Sequence, residues 1–373
     1  MENKIFSTEV INRERQNELD FAKAMMLFFL ALIHCTIACT PEPQLAYGIP
    51  YLFDTIIGGP FSAPMYMFAM GIGMAYTSHN SPHDFFRRGI KIEMFGYILN
   101  ICRFLIPSLV GYWITNDYSQ YISPLLYRFF GNDIMQFAGL AMLVVALFIK
   151  LRIPDWLMLL ICLGMSLAGT CWNGTDVGNP LGNIFLGYII GTEDAAGRVL
   201  SDFPLMNWLI IPVSGYIFGK KLLYVKNKAG FYRIFSSTGL LIVIVYFPIG
   251  IINGFGMFGE GENCYYHLIT LDAIACLALT IGMLGIYFVL VKYLPKKIMA
   301  CVGEISRNIN VIYCVHWVII SISVNVILYI MRGTQTLPVP LTLALGTGIS
   351  VISIVIAHFW SSKREKQMFR GHK

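Results

Sequence analysis

Residues 19–39 read LDFAKAMMLFFLALIHCTIAC. As a helix, a run of about 20 mostly apolar residues is long enough to cross the roughly 30 Å hydrocarbon layer of a bilayer. The run ends in Ile-Ala-Cys-Thr-Pro without a clear cleavage pattern, so it is predicted to be a retained membrane helix rather than a signal peptide. This stretch indicates that the chain is a membrane protein.

The rest of the chain repeats the apolar pattern. Of its 373 residues, 56% are hydrophobic and only 13% are charged, whereas soluble proteins carry about 25% charged residues. The sequence therefore predicts an all-α polytopic membrane bundle of about ten transmembrane helices, forming a single integral-membrane domain over residues 1–373. The predicted helices are 19–39, 61–77, 89–113, 133–150, 153–171, 203–222, 236–253, 268–293, 308–331 and 338–361. The shorter, glycine-rich segment 179–192 is predicted to be re-entrant or interfacial.

Lysine and arginine fall mainly on alternate ends of these helices, which predicts that both termini are cytoplasmic. We expect a multi-pass integral protein of the cell membrane. The net charge of +6 forms no basic stripe, so nucleic-acid binding is not expected. The opposite side carries few basic residues: Arg128, Arg198 and Arg332, with Arg103 near a helix end. The predicted cytoplasmic set is Lys4, Arg13, Arg15, Arg87, Arg88, Lys91, Lys150, Arg152, Lys220, Lys221, Lys226, Lys228, Arg233, Lys292, Lys296, Lys297, Arg307, Lys363, Arg364, Lys366, Arg370 and Lys373.

A polar stripe runs along the first helix through Asp20, Lys23 and His34. Lys23 and His34 are eleven residues apart, close to three helical turns, so they project from one face. An ionisable residue in a membrane helix costs about 2.5–3.5 kcal/mol even on the lenient insertion scale, which favours a functional role. The alternative is structural: Asp20 and Lys23 would form an interfacial pair, and His34 would bond to a neighbouring backbone.

Other candidate polar residues lie further along the chain. His316, in the ninth predicted helix, is followed by Trp317 and lies three residues after Tyr313; its alternative role is a buried structural histidine. His267 starts the eighth helix on the outer side, where an interfacial histidine is ordinary. Asp133 opens the fourth helix, where a carboxylate also serves as an N-terminal cap.

Arg87, Arg88 and Lys91 form a basic cluster at the cytoplasmic start of the third helix. The cluster fits either the usual positive-inside excess or a phosphate clamp, for which arginine is well suited. No P-loop or dinucleotide-binding glycine pattern occurs, which disfavours nucleotide-hydrolysing transport. The cysteines show no metal-binding spacing, so no metal is expected.

Several short blocks resemble the membrane acyltransferase superfamily, which includes acyltransferase 3 and heparan-α-glucosaminide N-acetyltransferase-like branches. The first is Leu19–Lys23 followed by His34, similar to a first-helix basic-residue-x10-His motif, here with Lys in place of Arg. Arg88-x-x-Lys91 is similar to a cytoplasmic Arg-x-x-Arg motif. The remaining blocks occur in consistent order at Pro64–Gly73, Asp133–Leu140, Phe203–Trp208, Gly215–Lys220 and Gly303–Trp317.

The resemblance implies an acyl-CoA-dependent O- or N-acyltransferase. Acyl-CoA, with acetyl as the expected acyl group, would donate from the cytoplasm to an extracytoplasmic hydroxyl or amine, such as a cell-surface glycan. It implies a donor site at Lys23, Arg87, Arg88 and Lys91, and catalytic roles for His34, His316 and Asp133. It implies acceptor binding by Tyr313, Trp317 and His267. His34 would act as a general base or carry the acyl group covalently.

Two other classes of function remain open at the sequence level. A secondary transporter of a sugar or organic anion also fits ten helices, intramembrane histidines and a glycine-interrupted segment, although the two halves show no convincing repeat. A binding or assembly protein without catalysis is the third class. The sequence also permits a homodimer, because Gly71-x-Gly73 allows close helix contact.

Overall fold

In a computed structural model, residues 5–371 are described, except 196, 200 and 256–264. Lys4 and Lys373, counted above among the cytoplasmic charges, lie outside the described residues. Apart from four isolated bridges, the described residues form helices, turns and irregular segments. The predicted all-α class is confirmed.

Helices of ten residues or more are labelled α1 to α12 in chain order. They are α1 Asn17–Cys39, α2 Ala63–Tyr76, α3 Pro82–Asn100, α4 Ile106–Thr115, α5 Ile134–Lys150, α6 Asp155–Trp172, α7 Ile210–Leu222, α8 Lys228–Asn253, α9 Thr270–Leu290, α10 Lys296–Arg307, α11 Ile309–Ile320 and α12 Val339–Gly371. Shorter helical turns connect some of them, at Glu42–Leu45, Gly48–Tyr51, Tyr118–Tyr121, Leu125–Phe130, Pro180–Gly187, Leu205–Trp208 and Tyr329–Arg332.

Seven helices of the described part are long and apolar enough to cross a membrane. They are Asn17–Cys39, Pro82–Thr115, Asp155–Trp172, Lys228–Asn253, Thr270–Leu290, Ile309–Arg332 and Val339–Ser362. The other three predicted spans are helical but shorter: α2 has 14 residues, α5 has 17, and segment 203–222 divides into Leu205–Trp208 and the 13-residue α7. At 1.5 Å per residue, α5 rises only about 25 Å. Ten spans and cytoplasmic termini therefore stay predictions.

The chain divides into two compact units. The first unit consists of residues 1–15, 63–100 and 126–286, and the second unit of residues 16–62, 101–125 and 287–373. The single-domain interpretation is left as a prediction.

Glycines set the helix contacts of the first unit. A Cβ on Gly71 of α2 would overlap the carbonyl oxygen of Pro212 in α7, and a Cβ on Gly215 of α7 would overlap the carbonyl oxygen of Phe68 in α2. The backbones of α2 and α7 therefore approach each other directly, as small residues allow in membrane helices. Gly73, the other glycine of the predicted contact motif, has no neighbour within 4 Å of its built Cβ.

In the second unit, α1 packs against α10, α11 and α12. Ala31, Cys35 and Cys39 of α1 form a buried cluster with Ile320, Val324 and Ile349. At the start of α1, the Ser306 hydroxyl donates a hydrogen bond of 2.7 Å to Asp20. Ser306 and Tyr313 lie on different helices, because α10 ends at Arg307 and Asn308 separates it from α11.

The second unit also contains π-helical turns, at Leu52–Gly58, Ile101–Leu105 and Ser321–Leu328. A π-helical turn inserts one residue into the α-helical repeat and rotates the side chains that follow it; such turns are rare and occur frequently at functional sites. Two of them lie in apolar helices, within Pro82–Thr115 and Ile309–Arg332. The second unit thus has a backbone feature that is frequent at functional sites.

Candidate active site

Two histidines from distant parts of the chain meet in the second unit. The rings of His34 in α1 and His316 in α11 stack with centroids 5.5 Å apart and planes inclined by 17°. The Trp317 ring lies 4.1 Å from the His34 ring and 5.5 Å from the His316 ring. His316 is 1% exposed, whereas His34 is half-buried. The structure therefore brings together three of the residues that the sequence singled out.

His316 is buried because it lies on the apolar face of α11. Ile312, Tyr313, His316 and Ile320 are its buried residues, and their separations of one, three and four positions place them on one helical face. The Tyr313 ring packs edge-on against His316, with centroids 5.3 Å apart. Tyr313 thus lies beside the histidine pair, and its role in acceptor binding stays a prediction.

The hydrogen bond of His316 fixes which ring nitrogen is basic. Its Nδ1 lies 3.1 Å from the carbonyl oxygen of Ile312, and a carbonyl oxygen only accepts, so Nδ1 carries the hydrogen and donates. The buried Nε2 has no hydrogen-bond partner among the described residues. Because a buried imidazolium without a counter-charge is costly, the neutral ring is favoured. Nε2 then holds a lone pair that can accept a proton.

Arg103 completes this cluster, and sequence reasoning missed it. Its guanidinium carbon lies 4.4 Å from the centroid of Phe104 and 4.9 Å from that of Trp317. Arg103 is 2% exposed and sits in the π-helical turn Ile101–Leu105, and its carbonyl oxygen accepts a hydrogen bond from the Ser321 hydroxyl. Its signal in the sequence is an arginine within the apolar run 89–113; the charge pattern alone predicts a residue near a helix end.

Asp20 and Lys23 lie near the N-terminus of α1. Asp20 is buried and bonds to Ser306 as described, while Lys23 is half-buried. Eleven residues at 1.5 Å per residue place Lys23 about 16 Å below His34 along the helix. Lys23 therefore shares a face with His34 without contacting it.

The remaining predicted site residues belong to the first unit. On α3, Arg87 and Lys91 are exposed and Arg88 is half-buried; Lys91 follows them by four and three positions, so the three side chains share one side of the helix. Asp133 precedes α5 and accepts a 2.6 Å hydrogen bond from the Ile134 amide. Its role as an N-terminal cap is therefore observed, and its catalytic role remains a prediction.

His267 is buried in the first unit, with 5% exposure. Its Nδ1 lies 3.3 Å from Oε1 of Glu193. Its backbone carbonyl oxygen accepts a 2.7 Å hydrogen bond from the side-chain Nδ2 of Asn173. Burial lowers the pKa of His267 to about 4, so the ring is neutral near pH 7. The contact with Glu193 is then a polar contact rather than an ion pair.

Comparison with protein families gives one match. The model of the heparan-alpha-glucosaminide N-acetyltransferase catalytic domain matches residues 15–247. The matched region contains α1 with His34, the basic cluster of α3 and the cap Asp133, and it ends before His267 and His316. A comparison with curated proteins finds no match. With the family model covering more than half of an integral membrane protein of 373 residues, the chain belongs to the heparan-alpha-glucosaminide N-acetyltransferase family.

Proposed function

We propose that this membrane acetyltransferase moves an acetyl group from cytoplasmic acetyl-CoA to a hydroxyl or amino group of an extracytoplasmic glycan. The observation that carries the proposal is the stacked pair of His34 and His316 within a membrane-helix unit. Membership of the family supports acetyl transfer as the reaction class. It lends no support to the transporter hypothesis.

In a direct transfer, a histidine of the pair acts as general base. The acceptor nitrogen or oxygen attacks the thioester carbonyl carbon while a histidine nitrogen takes the acceptor's proton. The tetrahedral intermediate then collapses, the carbon–sulfur bond breaks, and the histidine returns the proton to the coenzyme A thiolate. His316 Nε2 is suited to this role because its hydrogen bond to Ile312 leaves a lone pair there.

In a two-step transfer, His34 itself carries the acetyl group. A ring nitrogen of neutral His34 attacks the thioester carbonyl, the carbon–sulfur bond breaks, and the ring proton passes to the coenzyme A thiolate. The acceptor then attacks the acetyl carbonyl, the bond from carbon to the His34 nitrogen breaks, and the acceptor's proton goes to that nitrogen, which restores neutral His34. The half-buried position of His34 supports this route, since a nucleophile must meet two substrates in turn. Radiolabel retained on the denatured protein after incubation with [¹⁴C]acetyl-CoA alone distinguishes this route from direct transfer.

The donor is recognised through its phosphates. We place these at Arg87, Arg88 and Lys91, whose side chains lie on one side of α3 and are at least partly exposed. Arginine binds phosphate through paired hydrogen bonds, and lysine adds a point charge. Lys23 is proposed as a further cation that contacts acetyl-CoA on its way to the histidine pair.

The acceptor is proposed to be an amino sugar, because the family model is described by its action on a glucosaminide. Tyr313 and Trp317 offer aromatic surfaces beside the histidine pair. His267 is proposed as an acceptor-binding residue of the first unit, where its carboxylate neighbour Glu193 is partly exposed.

The test is acetyl transfer by the purified full-length protein in detergent, with [¹⁴C]acetyl-CoA and glucosamine as the probe acceptor. Wild type is expected to form labelled N-acetylglucosamine. His34→Ala is expected to remain folded and to lose turnover, while His79→Ala, which removes an exposed histidine, keeps it. Wild-type turnover in His34→Ala would overturn the assignment. Absence of acetyl-CoA binding at millimolar concentration would overturn the proposal that acetyl-CoA is the donor.

A further inference from the structure

The cluster around Trp317 contains hydrogen-bond donors that the histidine chemistry does not use. The indole Nε1 of Trp317 is buried and has no hydrogen-bond partner in the described parts of the chain. Indole nitrogen only donates. Leaving such a donor unsatisfied costs about 1–3 kcal/mol, so an acceptor atom that arrives during function would regain that energy.

Arg103 brings a positive charge to the same indole. Its guanidinium lies over the faces of Trp317 and Phe104, an arrangement in which the aromatic faces attract the cation. The main chain of Arg103 is held from the neighbouring segment, because the Ser321 hydroxyl bonds to its carbonyl oxygen. The backbone of Arg103 is thus held by Ser321, and its guanidinium packs on two aromatic rings.

Trp317 connects this donor pair to the proposed chemistry. The ring that contacts the Arg103 guanidinium also lies 4.1 Å from the His34 ring. The Arg103 cation and both histidines therefore contact the Trp317 ring. A thioester presented to His34 would lie beside Trp317, whose ring also contacts the Arg103 guanidinium.

We propose that Arg103 and the Trp317 Nε1–H form the oxyanion-stabilising site of the acetyl transfer; this rests on the proposed function. When the nucleophile attacks the carbonyl carbon, the C=O π electrons move to oxygen and create a negative charge. Arg103 and Trp317 stabilise that charge. The electrons return when the carbon–sulfur bond breaks, so neither residue gains or loses a proton. Removing one donor from such a site typically slows catalysis by about 10²–10³.

The experiment compares Trp317→Phe and Arg103→Gln with wild type, using [¹⁴C]acetyl-CoA and glucosamine. Trp317→Phe keeps an aromatic ring and removes only the N–H, and Arg103→Lys keeps the charge without the guanidinium. Matched controls are Trp156→Phe and Arg332→Gln, which change exposed residues. Size-exclusion chromatography and the Kd for acetyl-CoA verify that each variant is folded.

A fall of about 10²–10³ in kcat for Trp317→Phe and Arg103→Gln, with KM and Kd within threefold of wild type, is the expected result. Partial recovery in Arg103→Lys, or in Arg103→Ala supplied with guanidinium ion, is expected as well. A change confined to KM, or wild-type kcat in both variants, overturns the oxyanion role. If the oxyanion role is overturned while His34→Ala is inactive in the same assay, the proposed function still stands. If His34→Ala is active, the proposed function itself is overturned. A variant that elutes as aggregate is replaced by its conservative partner, Arg103→Lys or Trp317→Tyr, for which the same kcat criterion decides.

Discussion

The imidazole rings of His34 and His316 lie 5.5 Å apart and nearly parallel, although they come from α1 and α11 at opposite ends of the sequence. Two cations at that distance in an apolar environment would repel each other strongly. The pair is therefore suited to hold one added proton rather than two. Such a pair can accept a proton from the acceptor and return it to the leaving thiolate.

We expect His316→Phe to lower kcat by about 10²–10⁴, the usual contribution of a general acid or base. Phenylalanine keeps the stacking partner of His34 but lacks Nε2, so the Kd for acetyl-CoA should change little. Steady-state kinetics and isothermal titration with the purified variant measure the two quantities. Cys314→Ala on the same helix serves as the control. Turnover at the wild-type rate in His316→Phe would show that His316 is only structural.

We expect Arg88→Ala to weaken acetyl-CoA binding by about tenfold or more, because a hydrogen bond to a charged group contributes about 1.5–3 kcal/mol. The loss should shrink as salt is raised, since exposed charges are screened. Titration of wild type, Arg88→Ala and Lys297→Ala at two salt concentrations measures this. Lys297 is an exposed lysine of α10; an equal loss in Lys297→Ala would contradict a specific phosphate site on α3.

His267 should make stability depend on pH. Its pKa falls from 6.5 to about 4 on folding, so the unfolded chain binds a proton first as the pH drops. The stabilisation by neutral His267 is complete above about pH 6.5, declines as the pH falls towards 4, and amounts to on the order of 3 kcal/mol. Burial raises the pKa of Glu193, which acts in the opposite sense. The measured slope is therefore the net of the two.

Thermal unfolding of wild type and His267→Gln between pH 7.5 and 4 tests this expectation. The midpoint of wild type should fall more steeply with decreasing pH than that of His267→Gln, which has no group titrating at that position. Arg332→Gln serves as the control, because Arg332 belongs to the second unit and His267 to the first. Parallel curves for wild type and His267→Gln would contradict the burial of a neutral histidine.

The polar stripe of the first helix was readable from the sequence, and the reason is physical. An ionisable residue in an apolar run of 21 residues costs free energy that must be offset, so Lys23 and His34 stood out before their neighbours were known. Their three-turn spacing also fixed a common face. The partner of His34 was not predictable, because the stacking with His316 depends on how α1 and α11 pack.

The burial of Arg103 was not predictable for a related reason. Hydropathy and the charge rule assign a basic residue to a helix end, whereas the structure buries Arg103 in a π-helical turn within Pro82–Thr115. A π-helical turn changes the register by one residue and leaves no periodic signal in a uniformly apolar run. The helix α10 was missed as well, since its lysines were counted only as loop charges.

Gly71→Ala should destabilise the protein, and Gly73→Ala on the same helix should not. The added methyl of Gly71→Ala would overlap the carbonyl oxygen of Pro212, and backbone cannot move aside as a flexible side chain does. Overpacking of this kind costs about 1–3 kcal/mol. At Gly73 no atom lies within 4 Å of the built Cβ, so alanine there should be neutral or slightly stabilising through its higher helix propensity.

Thermal unfolding in detergent and cross-linking of each variant separate two uses of the Gly71-x-Gly73 motif. If the glycines serve the contact of α2 with α7 inside one chain, Gly71→Ala lowers the unfolding midpoint and Gly73→Ala leaves it unchanged. A homodimer built on the same motif would instead lose its cross-link in Gly73→Ala. Because only Gly71 contacts α7 backbone in the structure, we expect the first pattern, and equal destabilisation by both variants would contradict it.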